Sequence, residues 1–300
     1  MIVGVIGLGG MGGGIARNLI EKGFSIVVRD VRAEVVAQFT EKGAREAGSS
    51  KKAGTLCDVV LTSLPLSPAN PTLENEILGP EGILAGMTPG KIIIDCGNTS
   101  PSTSKEFYQE CQKKGVSFLD AAVSGGPEGA QAGTLSIMVG GDPETLEKAK
   151  PVFSAIGKKV TYFGPTGSGQ MAKLINNMLV AINLAGISEA LVLAQKAGLD
   201  MAKLLEAMCS GAAQSWALES YGKAWLERAP GHKGTGEAYR EKQLGWAFEI
   251  ASNLEVPLPV TTCVHELFKM ARGAGKYGLC EPVLELWEDM ADTFVSKHTG

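Results

Sequence analysis

Three hundred residues, 44% hydrophobic and 20% charged, make an ordinary globular composition, long enough to bury a core with no disulfide or metal staple. A formal net charge of -4 and a pI near 5.6 exclude a general binder of nucleic acid or anionic membrane, which needs a basic surplus. Cys57, Cys96, Cys111, Cys209, Cys263 and Cys280 form no C-x-x-C pair, and His232, His265 and His298 lie far from metal-site spacing, so free thiols and no metal are expected.

Ile2–Ile6 is a short β-branched run that leads into glycines and then a helical stretch ending near Lys22 and Gly23. Ser25–Arg29, Val59–Ser63 and Lys91–Asp95 read as further strands, followed by Ser117–Leu119 and Leu135–Val139. Continuous apolar strands separated by helical connections imply a parallel sheet covered on both faces. Strand signals stop at the turn cluster Gly164-Pro165-Thr166-Gly167, and a proline-free helical stretch runs from Gln170 to Lys196. Ala202–Met208, Ser215–Leu226, Tyr239–Leu254, Thr261–Arg272 and Pro282–Val295 also read as helices, with a loop at Pro230, Gly231, Gly234 and Gly236. The expected fold class is α/β: a Rossmann-type doubly wound parallel sheet over residues 1–164, then an all-helical domain over residues 165–300, joined through a long helix. The N-terminus enters a strand with no basic leader, and the apolar stretch Met178–Ala194 is broken by Asn183, Ser188 and Glu189, too short and too polar for a membrane span. A soluble, cytoplasmic protein is expected.

Gly7-Leu8-Gly9-Gly10-Met11-Gly12 matches G-x-G-x-x-G. Among 39 glycines this could be a plain turn, but it follows a buried strand and opens a helix, as a dinucleotide loop must. The first glycine makes the tight turn, the second admits the pyrophosphate, the third lets helix and strand pack, and the helix N-terminus faces the phosphates. Asp30, 18 residues past Gly12, closes the second strand, where a carboxylate accepts from ribose hydroxyls and repels a 2′-phosphate. NAD is therefore expected, with NADP left open because Arg29 and Arg32 flank Asp30. A solvated strand end is the plainer reading of the same residue.

Lys173 and Asn177 are four apart in Gly167-Ser168-Gly169-Gln170-Met171-Ala172-Lys173-Leu174-Ile175-Asn176-Asn177, so a helix puts them on one face. A lysine in apolar surroundings is desolvated toward the range useful for proton transfer, and the Asn177 amide can orient a hydroxyl or carboxylate beside it. A lysine that snorkels from an apolar face looks the same in sequence. Ser124, Gly125 and Gly126, within Asp120-Ala121-Ala122-Val123-Ser124-Gly125-Gly126-Pro127-Glu128-Gly129-Ala130, offer a hydroxyl and open N–H groups suited to a carboxylate, or simply a turn.

In this order the three segments resemble the β-hydroxyacid dehydrogenase family, which includes 3-hydroxyisobutyrate dehydrogenase, over the whole chain. The resemblance implies hydride transfer between a nicotinamide and a small β-hydroxyacid or its semialdehyde, with Lys173 as general acid/base and the carboxylate on Ser124, Gly125 and Gly126. Tartronate, glyoxylate or succinic semialdehyde reduction are the alternatives within the family. A non-catalytic NAD(H)-binding module, or imine reduction on the same scaffold, are the alternatives outside that chemistry. The resemblance also implies Thr99 at the nicotinamide ribose, Leu64-Pro65 near the adenosine, and Lys242 near nicotinamide or substrate. Two positions depart from the family pattern: Ala122 replaces a proline and Gln243 replaces the acid that follows Lys242. The apolar surface of the long helix predicts a homodimer or homotetramer, and Ser210–Trp216 and Tyr239–Gln243 are candidate walls for the substrate side group.

Overall fold

The computed structural model describes residues 1–64, 72–227, 237–276 and 282–296. Pro65, the loop at Pro230, Gly231, Gly234 and Gly236, His232, Cys280 and His298 lie outside the described residues. The described chain divides into two compact units, Met1–Lys173 and Leu174–Gly300.

In the first unit, β1 (Ile2–Ile6), β2 (Ser25–Arg29), β3 (Arg45–Glu46), β4 (Val59–Thr62), β5 (Ile92–Asp95), β6 (Ser117–Ser124), β7 (Leu135–Gly141) and β8 (Gly157–Gly164) form one sheet in the order β3-β2-β1-β4-β5-β6-β7-β8. From β3 to β6 all neighbours are parallel, while β7 pairs antiparallel with β6 and β8 runs parallel to β7. The strand order reverses direction at β1, whose flanks are β2 and β4, and a doubly wound sheet opens its ligand crevice at the carboxyl end of such a switch.

The apolar runs follow from burial on both faces. Val59, Leu61, Ile92 and Ile94 face one core with Ile15 and Leu19. The intervening Val60 and Ile93 face a second core with Ile77, Ile83 and Phe107. Each such side chain contributes roughly 1.5–3 kcal/mol through its removal from water.

Two strands carry no signal in the sequence. β3 is a two-residue Arg-Glu pair, and β8 is an edge strand whose Lys158, Lys159 and Val160 are exposed, so neither shows an apolar run. β6 and β7 also run longer than the apolar runs that announce them, since they pair with each other through Ser124 and Ser136.

The second unit is helical: the rest of Ser168–Lys196, then Met201–Ser210, a π-helical turn Leu218–Gly222 continuing into Lys223–Glu227, Glu237–Asn253, Pro259–Gly273 and Pro282–Ala291. A single regular helix over 215–226 is not found, because its central turn is π-wound. The last helix stops at Ala291, short of Val295: Asp292 takes φ 46°, and the Glu288 carboxylate accepts the Val295 N–H at 2.7 Å. The helix Ser168–Lys196 has 29 residues and is long and apolar enough, by length and composition alone, to cross a membrane, which corrects the shorter estimate from Met178–Ala194. Its Leu184 and Leu191 are nonetheless fully buried in a core with Leu218 and Trp225.

One close approach sets the geometry of the first unit's ligand end. The helix Gly10–Glu21 lies backbone to backbone against the helix Gly126–Ala132: a Cβ on Gly14 would stand 2.7 Å from the carbonyl carbon of Ala130. Asn18 fastens the pair, its Nδ2 donating to Gly14 O at 2.9 Å and Ala130 O at 2.7 Å. Gly14→Val should therefore cost about 2 kcal/mol or more through overpacking, read as a lowered midpoint in urea unfolding.

Candidate active site

The glycine loop is built from collisions that only glycine avoids. Gly7 has φ 89°, and a Cβ there would lie 2.4 Å from Ser63 O; a Cβ on Gly12 would lie 1.9 Å from Gly7 O. Gly9 is the opposite case, with nothing within 4 Å of its missing side chain, so a Cβ would fill open space at the start of the helix Gly10–Glu21. That helix has no acidic residue in its first turn, and the amide hydrogens of Gly10, Met11 and Gly12 have no helical acceptor. An open cradle at a positive helix end with unpaired donors fits the pyrophosphate of a dinucleotide. Leu8 is buried, Met11 packs against the core below, and Leu64 packs against the core on the opposite face of the sheet.

Asp30 stands at the end of β2 and accepts from Leu8 N at 2.7 Å. Arg32 grips it twice, Nε to Oδ1 and a terminal nitrogen to Oδ2, each at 2.9 Å. The Arg32 hydrogen bond is the main reason the Asp30 carboxyl sits well below the usual carboxylate range. Arg29 turns away to Glu76 at 3.3 Å and Ser50 Oγ at 3.0 Å. Both flanking arginines are thus matched to carboxylates.

Two buried aspartates organise the centre of the unit. Asp95 ends β5 and receives Thr62 Oγ1 at 2.9 Å, Gly97 N at 2.9 Å and Thr99 Oγ1 at 2.6 Å. Burial pushes its carboxyl pKa up against those donors. Asp120, inside β6, receives Gly167 N at 2.7 Å and Gln170 N at 2.9 Å, and burial raises its pKa to about 6. It therefore caps the helix Ser168–Lys196 from a neighbouring strand. Gln170 completes the set: its Nε2 donates to Gly97 O at 2.8 Å and its Oε1 accepts from Thr99 N at 3.2 Å. On the same loop Asn98 Oδ1 is buried with no hydrogen-bond partner, an acceptor whose cost a bound donor would remove.

Lys173 follows one turn after Gln170, 8% exposed, and makes no hydrogen bond or ion pair among the described residues. Desolvation alone lowers its amine from the ordinary lysine value to about 8. One turn further, Asn177 Nδ2 donates to Gln243 Oε1 at 3.0 Å, and Asn177 Oδ1 accepts from Asn176 at 3.1 Å. Lys242 lies 5.6 Å from the ring centre of Trp246.

β6 delivers Ser124 at its end, followed by Gly125 at φ 131° and Gly126 at φ 66°, conformations that a side chain would strain. Pro127 lies 3.4 Å from where a Gly10 Cβ would stand, so the structure brings this segment to the glycine loop. Asp120 and Gln170 were not singled out by sequence. The available signal was an acid between Leu119 and Ala121 in an apolar strand, since a carboxylate there must find donors.

Residues 2–164 match the NAD binding domain of 6-phosphogluconate dehydrogenase, and residues 167–279 match the NAD-binding domain of NADP-dependent 3-hydroxyisobutyrate dehydrogenase. The chain is 35% identical to 2-(hydroxymethyl)glutarate dehydrogenase of Eubacterium barkeri, over 98% of this chain and 97% of that one. It is 36% identical to the NAD-dependent L-serine dehydrogenase of Pseudomonas aeruginosa, over 89% and 91% of the two chains. Among solved structures it is similar to 3-hydroxyisobutyrate dehydrogenase from Salmonella typhimurium, with a TM-score of 0.83 at 25% identity, covering 95% of this chain and 99% of that one.

Proposed function

The chain belongs to the β-hydroxyacid dehydrogenase family of NAD(P)-dependent oxidoreductases, and from that premise we propose that it oxidises a hydroxymethyl group on the carbon next to a carboxylate, with Lys173 as the proton-transfer group. The observation that carries the assignment is the buried Lys173 amine, lowered to about 8 by desolvation and free of any counter-ion among the described residues. The substrates named for the three relatives share one skeleton, a carboxylate and a CH2OH on one carbon, and differ only in the third substituent: a carboxyethyl arm, an amine or a methyl.

Gly7 to Gly12, Asp30, Leu64, Pro65, Thr99 and Lys242 would hold the cofactor, whose nicotinamide accepts or returns the hydride when bound. In oxidation the neutral Lys173 Nζ takes the hydroxyl proton; in reduction its ammonium form gives that proton back. The Ser124 hydroxyl and the Gly125 and Gly126 amides receive the substrate carboxylate, and Asn177 orients the alcohol. We assign cofactor binding to residues 1–164, and the substrate side group and subunit contacts to residues 165–300. Segments Ser210–Trp216 and Tyr239–Gln243 contribute to the side-group pocket.

NAD is the preferred cofactor in this reading. Asp30 occupies the place of a 2′-phosphate, and neither Arg29 nor Arg32 is an unmatched cation. Ile175, Leu179, Gly186 and Leu193 recur at helical spacing as one exposed apolar stripe on Ser168–Lys196, the surface that a second copy would cover in a homodimer or homotetramer. With its apolar stripe closed by a second copy, the protein is soluble and works in the cytoplasm.

Lys173→Ala should lower kcat by about 10²- to 10⁴-fold while NADH binding persists, and near-normal turnover would remove the assignment. In the wild type, oxidation should rise as pH climbs through about 8, where the amine becomes neutral, and reduction should fall over the same interval. Asp30→Ala should reduce kcat/KM for NAD by about 10- to 100-fold and raise it for NADP, since it deletes a charged acceptor and frees Arg32; an unchanged ratio would overturn the cofactor assignment. Light scattering should return a dimer or tetramer, and a monomer would refute the role given to the apolar stripe.

A further inference from the structure

We infer that Gln170 is a positioning residue for the reaction, tying the helix that carries Lys173 to the Gly97–Thr99 loop so that proton transfer and hydride transfer are held in one geometry. The inference rests on the proton-transfer role proposed for Lys173. Gln170 is 2% exposed and sits three residues before Lys173, on the same side of the helix. Both ends of its amide engage the loop: Nε2 donates to the Gly97 carbonyl, and Oε1 accepts from the Thr99 amide. The loop is held from its other side by Asp95, through Gly97 N and the Thr99 hydroxyl. The helix is held in turn by Asp120, through Gly167 N and Gln170 N.

This arrangement links two anchored pieces by one side chain. Asp95 fixes the loop to β5, Asp120 fixes the helix start to β6, and Gln170 sets the distance between loop and helix. Thr99 spends its hydroxyl hydrogen on Asp95, so its oxygen is left as an acceptor toward a bound group. Displacement of Gln170 would shift Thr99 and Lys173 relative to each other without removing either. A misplacement of about 1 Å between reacting groups can cost about 100-fold in rate.

The position demands one donor and one acceptor at a fixed reach. Leucine fills the volume and leaves Gly97 O and Thr99 N buried without partners. Glutamate keeps the acceptor for Thr99 N but sets an oxygen against the Gly97 carbonyl until it is protonated. The charged groups on the elements that meet residue 170 are Asp95 and Asp120, which favour protonation of a carboxylate there, and Lys173 and Lys105, which oppose it; Lys105 lies on the helix Pro101–Lys113, its Cε 3.3 Å from where a Gly167 Cβ would stand.

The test uses full-length Q170L and Q170E with NAD and whichever of 3-hydroxyisobutyrate, L-serine or 2-(hydroxymethyl)glutarate the wild type oxidises best. Q170L should lose about 10- to 100-fold in kcat with the hydroxyacid KM moved less than about threefold, and the isotope effect from deuterium on the hydroxymethyl carbon should rise as hydride transfer slows. Oxidation by the wild type falls from about pH 8 to about pH 6 as Lys173 protonates, whereas the ratio of Q170E to wild-type kcat should climb over that interval as the glutamate gains its donor. A Q170L kcat within twofold of wild type, or a Q170E ratio flat with pH, overturns the inference. Should Q170L fail to fold, the Q170E ratio decides alone. Near-normal turnover by Lys173→Ala would sink the reading of Lys173 itself, whatever the Gln170 variants do.

Discussion

The Asp120 carboxylate on the first amides of the helix Ser168–Lys196 is the contact on which the arrangement depends. A helix start leaves its leading N–H groups without acceptors, and here they are satisfied from inside a neighbouring strand rather than by a residue of their own segment. The same strand, β6, ends four residues later in Ser124. One rigid element therefore places both the origin of the lysine helix and the opening of the Gly125-Gly126 turn, and a strand interior is a more exact reference than a loop. The approach is close enough that Gly140 and Gly169 are required there: a Cβ on Gly140 would stand 2.6 Å from Asp120 Oδ1, and one on Gly169 2.4 Å from Met138 O.

Burial of two carboxylates in the unit that also buries Lys173 has an electrostatic logic. Each aspartate is surrounded by neutral donors, backbone amides and hydroxyls, and none is paired with Lys173. An ion pair would hold the amine charged and inert as a base. Neutral donors satisfy the carboxylates and leave the lysine to desolvation, which favours its neutral form. At the carboxyl end of β2 the opposite choice is made: Asp30 is kept ionised by an arginine.

The sheet was legible because its strands are buried on both faces, and Ile92-Ile93-Ile94 can be little else in a chain that alternates strand and helix. β8 was not, because an edge strand with Lys158 and Lys159 lacks that signature. The glycine loop was legible as a spacing, and the reason for each glycine appears only with the collisions at Gly7 and Gly12. Lys173 could be read as a lysine among apolar residues, but its burial and the absence of a counter-ion among the described residues are properties of the packed chain. Gln170 was invisible as a functional residue: a glutamine in an amphipathic stretch has no spacing rule, and its two partners lie more than 70 residues away in sequence. Contacts between backbone atoms of one segment and a side chain of another leave no pattern in either.

Gln243 shows what a neutral residue does at a position where the family pattern has an acid. Where the family pattern places an acid after Lys242, this chain has an amide that is 4% exposed and accepts from Asn177. A carboxylate at 243 would also accept from Asn177, so the hydrogen bond alone does not explain the amide. The difference is charge. A carboxylate at that depth would bring a negative charge out of water, a cost that the neutral amide avoids. Lys242, next in the chain, lies with its amine near the face of Trp246, and it makes no ion pair among the described residues. The neutral residue therefore joins Asn177 of the long helix to the helix Glu237–Asn253 through one hydrogen bond without placing a charge in the core of the second unit.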